Sequence, residues 1–273
     1  MTEQSTILSF RFRQELNQIK TIEFFSVQFE TWFAKSASEL NYTITDKSKS
    51  SWKQKTKSLK YTDSNLLKFA ELLSMKKEKV YIDFEIVKNL ENAVYKSIDI
   101  DFSILYNCNE DINTLNFVFN RFIYSDTNWA DLAKKIATFL LEQQCEILYC
   151  FVLNLDNTKN PAFYVEGISN GQLNKKEEDK LFLWSNNKTK CDERIWDIFW
   201  GNIISIKHIS NNQTLEDIGK IVGKENVQSL TPTLIWFNLN EPLTNFDILK
   251  YSSQRQQLYE YFNTKQLLLY SAS

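Results

Sequence analysis

The side chains best suited to chemistry in this sequence are one histidine, four cysteines and a scatter of carboxylates. His208 alone has an ordinary pKa near neutrality, so a Ser-His-Asp or Cys-His triad would have to run through it. No Gly-x-Ser-x-Gly elbow occurs, and none of Cys108, Cys145, Cys150 and Cys191 lies in a recognisable nucleophile context. Its neighbours, Lys207 before it and Ile209-Ser210-Asn211-Asn212 after it, suit a packing or capping histidine ahead of a loop. Asp99 and Asp101 sit two residues apart on an alternating stretch, where paired carboxylates could ligate a metal or share a proton. No histidine or third acid adjoins them, and the polar face of a strand accounts for both. One histidine and four widely spaced cysteines without a Cys-x-x-Cys pair do not make a zinc site. The five glycines are spaced so that neither phosphate-cradling glycine motif can be built. The expectation is a protein that is not an enzyme, with no catalytic residue, no metal and no cofactor. The competing enzymatic reading is a hydrolase that uses His208.

Bulk composition bounds the rest. The chain has 273 residues, 43% hydrophobic and 24% charged, which is the balance of a folded protein. Its 20 Phe, 12 Tyr and 7 Trp supply a large core, since each buried ring removes much apolar area from water. A net charge of -2 gives no global drive towards nucleic acid. The N-terminus has neither a basic start nor a long apolar core, and no apolar run reaches the ~20 residues of a bilayer span. The chain is therefore read as cytoplasmic, without nucleic-acid or membrane partners, and with reduced thiols.

The elements that would carry these residues follow from periodicity. Alternation predicts strands at 7–13, 80–84, 97–104 and 115–122, the last three joined by hairpin turns. Spacings of three and four predict helices over 14–40, over 63–73 with a cap at Asp63-Ser64-Asn65, and over 129–144 with a cap in Ser125–Asn128. The lysine-rich stretch 45–61 reads as a solvated loop, or as an anion or partner contact with Trp52 as anchor. Ile147–Leu153 is uninterruptedly apolar and predicts a central strand. Further on the pattern predicts a strand at 162–166, a charged helix over 174–185 and a short helix at 215–222 ending on Gly223. Paired strands at 227–230 and 233–238, a helix at 254–262 and a strand at 266–270 complete it. Trp200 is expected to be largely buried, with Gly201 as a chain-reversal point. The sum is an α+β fold, a mostly antiparallel sheet packed with helices. Residues 1–273 form a single unit, with a candidate hinge near 156–161 if it divides into two packed halves.

Acids stand beside aromatics in the C-terminal third. Glu177, Glu178, Asp179, Asp192, Glu193 and Asp197 flank Trp184, Trp196, Phe199 and Trp200. Such a mixture grips basic partners, although a solvated helix face over a core face has the same pattern.

Within this region Ala162–Ile168, Lys176-Glu177-Glu178 leading to Trp184, Trp196–Ile204 with His208-Ile209 downstream, and Thr231–Leu243 with Pro242 form an ordered set of motifs. The set, over about 147–243, resembles the C-terminal half of the bacterial immunity proteins found beside polymorphic and type VI-secreted toxins. Ser205-Ile206-Lys207 replaces the Gly-Pro usual there, and Asn211-Asn212 replaces a double glycine. The resemblance implies a cytoplasmic, non-catalytic inhibitor that binds a cognate toxin, such as a nuclease, and occludes it. Glu177, Glu178, Trp184, Asp192 and Glu193 are then the partner-contact candidates. The alternative is a non-catalytic interaction or regulatory module of a phage or defence system.

Overall fold

A computed structural model describes residues 4–14, 16–17, 39–46, 53–60, 80–89, 100–107, 112–120, 127–156, 193–205, 212–245 and 252–269, with residues 20, 21, 24, 27, 62, 64, 65, 67, 68, 175, 179, 182 and 191 between them. Among these, β1 is Gln4–Arg13, β2 Glu39–Asp46, β3 Lys53–Lys60, β4 Val80–Asn89, β5 Ile100–Asn107 and β6 Asn113–Asn120. Helix α1 spans Trp129–Glu142 and β7 Glu146–Asp156. Strand β8 is Gly201–Ser205, α2 Asn212–Val222, β9 Val227–Thr231, β10 Leu234–Asn238 and α3 Ser253–Thr264. The strands make one ten-stranded sheet, ordered β3-β2-β4-β5-β6-β1-β7-β8-β10-β9. Every pairing in it is antiparallel. The α+β, antiparallel architecture expected from the sequence is the observed one.

The core gathers around β1 and β7. Ile147, Leu148, Tyr149, Cys150, Phe151, Val152 and Leu153 are all buried. Successive residues of a strand point to opposite faces, so both faces of β7 are covered. Strand β1 lies between β6 and β7, with Ile7 opposite Val118 on one side and Leu153 on the other. Ile7, Leu8, Phe10 and Phe12 are fully buried.

Helix α1 follows its sequence signals closely. The Asn128 carboxamide oxygen accepts from the Asp131 amide at 3.2 Å, which satisfies one of the orphan N–H groups of the first turn. Trp129, Leu132, Ala133, Ile136, Ala137, Phe139 and Leu140 form its buried stripe. Gln143 caps the other end, and Gln144 turns the chain with φ 61°. Helix α2 stops where Gly223 takes φ 95°, a conformation that a Cβ would strain.

Several boundaries differ from the sequence reading, each for an identifiable reason. Leu40 belongs to β2, so a helix over 14–40 cannot reach its predicted end. Much of the 45–61 stretch is strand and not loop, residues 47–52 and 61 lying outside the described residues. Its residues 45–46 close β2, and Lys53–Lys60 form β3, paired from Glu39↔Lys60 to Asp46↔Lys53. A Lys-x-Lys-x-Lys run has no hydrophobic alternation to betray a strand, and pairing with β2 decides the matter. Just ahead of the predicted cap, the Thr62 hydroxyl accepts from the Asn65 amide at 3.3 Å, and Asp63 lies outside the described residues. Strand β5 is Ile100–Asn107 and runs past the predicted end at 104, residues 97–99 lying outside the described residues. The strand expected at 266–270 is a single parallel bridge between Leu268 and Ile195. The hinge residues 157–161, the strand at 162–166, Asp99 and Cys108 lie outside the described residues.

Candidate functional site

The described end of the aromatic-acidic region, residues 195–202, is organised by a buried polar junction. Residues 195–199 run as an irregular segment against β7, with Ile195, Trp196, Asp197, Ile198 and Phe199 all buried. Phe199 stacks on Phe151 with ring centroids 4.6 Å apart, and Trp196 meets Phe151 edge-on at 5.8 Å. Trp200, expected to be buried, is only partly so. Its indole N–H donates to the Glu241 carbonyl at 2.8 Å, whereas the neighbouring Trp196 is only 3% exposed. Gly201 is the first residue of β8 and makes no chain reversal. A Cβ there would stand 2.6 Å from Trp236 Cη2 and 3.3 Å from Val152 Cβ, so the glycine is required by close approach.

Asp197 had been grouped with the partner-gripping acids, but it is 3% exposed. Its Oδ2 pairs with Arg255 Nη2 at 3.3 Å, and its Oδ1 accepts from the Ile198 amide at 2.7 Å. Arg255, on α3, is fully buried and also donates through Nε to the Ile198 carbonyl at 2.7 Å. The Tyr149 hydroxyl donates to the Asp197 carbonyl at 2.7 Å, while the Asn202 carboxamide bridges the Phe199 amide and carbonyl. Burial, with Asp197 nearby, pushes the Tyr149 phenol well above its ordinary pKa. The junction thus ties segment 195–202 to both β7 and α3. Its polar atoms point at one another and are shielded from water, an arrangement suited to fixing backbone geometry and not to receiving a substrate.

A second buried polar cluster lies across β1 and β6. Ser9 Oγ donates to Asn116 Oδ1 at 2.6 Å, and Arg11 Nη1 reaches Ser9 Oγ at 3.0 Å and Asn116 Oδ1 at 3.2 Å. Desolvation lowers the Arg11 guanidinium to about 10, and nearby Cys191, Cys150 and Tyr149 act in the opposite sense. Burial raises the Cys145 thiol to about 11 and the Cys150 thiol well above its ordinary value. Neither is a thiolate at neutral pH, the form a nucleophile needs. Among the described residues no three His, Cys, Asp or Glu side chains are grouped to hold a metal. No helix among them is long and apolar enough to cross a membrane.

An open groove of about 580 Å³ runs along α1 to β9, lined in part by Phe24, Lys134, Lys135, Phe139, Glu142 and Gln228. Phe24 stacks on Phe139 at 4.1 Å. Lys134 pairs with Asp131 at 3.2 Å and reaches Gln228 at 3.4 Å. The groove offers mixed charge over an aromatic floor and holds no histidine or cysteine.

Of the partner-contact candidates, Glu193 is described and exposed. Glu177, Glu178, Trp184 and Asp192, like His208, lie outside the described residues. Lys175, Asp179 and Phe182 are helical and exposed. Phe182 is 69% exposed. Sequence reasoning passed over Phe182 for Trp184. Nothing in the polar Ser-Gln-Arg-Gln-Gln start of α3 signalled that Arg255 would be buried against Asp197.

No protein-family model matches the sequence, and no curated protein sequence matches it. Among solved structures the chain is similar to the Pseudomonas aeruginosa T6SS protein PA0821. The two share 11% identity and a TM-score of 0.57, over 99% of this chain and 76% of that one. At that identity the likeness is one of fold.

Proposed function

We propose that this chain is a non-catalytic inhibitor working with a type VI secretion system, and that it binds a cognate toxin, such as a nuclease, and occludes its active site. The observation that carries the reading is the fold shared with a type VI secretion protein along nearly the whole chain. The motif resemblance over 147–243 points the same way. An occluding inhibitor needs a rigid frame and an exposed contact surface. The buried junction of Asp197, Arg255, Tyr149 and Asn202 supports the first requirement. Exposed Asp179, Phe182 and Glu193 support the second, beside Glu177, Glu178, Trp184 and Asp192 in sequence. Acidic groups would compete with phosphate at a basic active-site mouth and raise the association rate, while an aromatic anchor supplies most of the affinity.

The test is co-expression and purification with the product of the adjacent gene. A stable complex that abolishes toxicity supports the proposal, and no effect on any neighbouring toxin sinks it. Reversing Glu177, Glu178, Asp192 and Glu193 together should weaken the complex and flatten its salt dependence. Unchanged affinity and unchanged salt dependence would remove this surface from the proposal.

A further inference from the structure

Residues 53–60 of the lysine-rich stretch lie in the sheet, and that changes what they can bind. Strand β3 is the terminal strand of the ten, with β2 on its inner side and no described strand on its outer side. Such an edge presents a row of backbone N–H and C=O groups to any extended chain that can approach. Lysine occupies positions 53, 55, 57 and 60 of the strand, the first three recurring with the strand's own two-residue period. Between residues 47 and 60 there are six lysines, Lys47, Lys49, Lys53, Lys55, Lys57 and Lys60, and no acid. The register places the outer two strand lysines opposite acids of β2, Lys53 opposite Asp46 and Lys60 opposite Glu39. The central two stand opposite Ile44 and Tyr42.

We infer that β3 is a docking edge for an extended acidic segment of a protein partner, which adds to the sheet as an eleventh strand. Lysines on an edge strand ordinarily protect it from pairing with copies of itself, because like charges opposite one another are destabilising. That protection is selective by sign. A second β3 is repelled, whereas a strand with glutamate or aspartate opposite Lys55 and Lys57 is attracted and gains the backbone ladder as well. An edge strand favours a peptide over a nucleic acid, which would use the charge and leave the backbone groups unused. The opposite edge, β9, reads Val-Gln-Ser-Leu-Thr and has no charge with which to choose a partner. This inference does not rest on the inhibitor reading, since a partner of any role could use the edge.

The experiment uses the full chain and a synthetic octapeptide, Thr-Glu-Val-Glu-Thr-Glu-Val-Thr, with binding followed by calorimetry at two salt concentrations. Two backbone N-methylated forms accompany it, one methylated at the glutamates and the other at the residues between. In an antiparallel pair only alternate N–H groups face the neighbour, so one methylated form should lose binding and the other retain it. The triple variant Lys53→Glu/Lys55→Glu/Lys57→Glu should lose at least about tenfold in affinity, and the Lys→Gln triple a smaller factor. Circular dichroism checks that each variant is folded, and if the Glu variant is not, the Gln variant and the methylated pair decide. Equal binding of the parent peptide and both methylated forms would overturn the inference. So would unchanged affinity in the lysine variants, or displacement of the peptide by oligothymidine at equal charge. Self-association of the chain that the lysine variants abolish would overturn it in favour of a second copy.

Discussion

Removing the carboxylate from the Asp197–Arg255 junction isolates what that junction contributes. In Asp197→Ala the Arg255 guanidinium, fully buried, keeps its bond to the Ile198 carbonyl but loses the carboxylate 3.3 Å away. Removing one partner of a buried ion pair costs about 3–5 kcal/mol. The Ile198 amide also loses an acceptor at 2.7 Å, which places the cost at the middle of that range or above. With a urea slope of about 3 kcal/mol/M for a chain of this size, the unfolding midpoint should fall by about 1–2 M. Arg255→Met keeps the apolar stem and removes the charge, and should be destabilising for the converse reason. The double variant Asp197→Ala/Arg255→Met removes both charges and closes the cycle with the two single variants. Its loss should be smaller than the sum of the single losses by about 1–3 kcal/mol. Equilibrium unfolding in urea, followed in parallel by tryptophan fluorescence and circular dichroism, measures all three. A midpoint for Asp197→Ala within the equivalent of about 1 kcal/mol of the parent would refute the reasoning, as would strict additivity in the double variant.

Three further outcomes follow from the packing. Gly201→Ala places a methyl 2.6 Å from the rigid, buried ring of Trp236 and should cost about 1–3 kcal/mol by thermal or urea unfolding, and parent-like stability would show that β8 and β10 can part. Trp196→Ala should cost about 3–5 kcal/mol, and Trp200→Ala clearly less because its ring is only partly covered, so the reverse ranking in the same assay would overturn the assignment of the core indole. Burial holds the Cys145 thiol protonated to about pH 11, whereas an unfolded thiol ionises near 9. The folded state then binds more protons between those values, so stability is fully present below pH 9 and declines towards 11. A urea midpoint series across that window should fall less steeply in Cys145→Ala, and identical slopes would remove the thiol as the cause.

Local periodicity was enough to determine the class of fold and much of its detail. The alternating residues of β1, β4, β5 and β6, the stripe and Asn128 cap of α1, the apolar run of β7 and the glycine after α2 each record a local physical demand. Those demands are pleat, helical face, cap and left-handed turn, and each acts between residues near in sequence. What the tertiary structure decided involves partners far apart in the chain. Strand β1 became an interior strand only because β6 and β7, more than a hundred residues later, close on both its sides. Lys53–Lys60 became a strand only because β2 offered it a ladder. Asp197 carried the same signature as the acids at 177–179 and 192–193, a carboxylate beside aromatics. Its burial was set by Arg255, 58 residues away on a helix whose own pattern is polar. A charge in the sequence shows that it must be solvated or paired, and only the fold determines which.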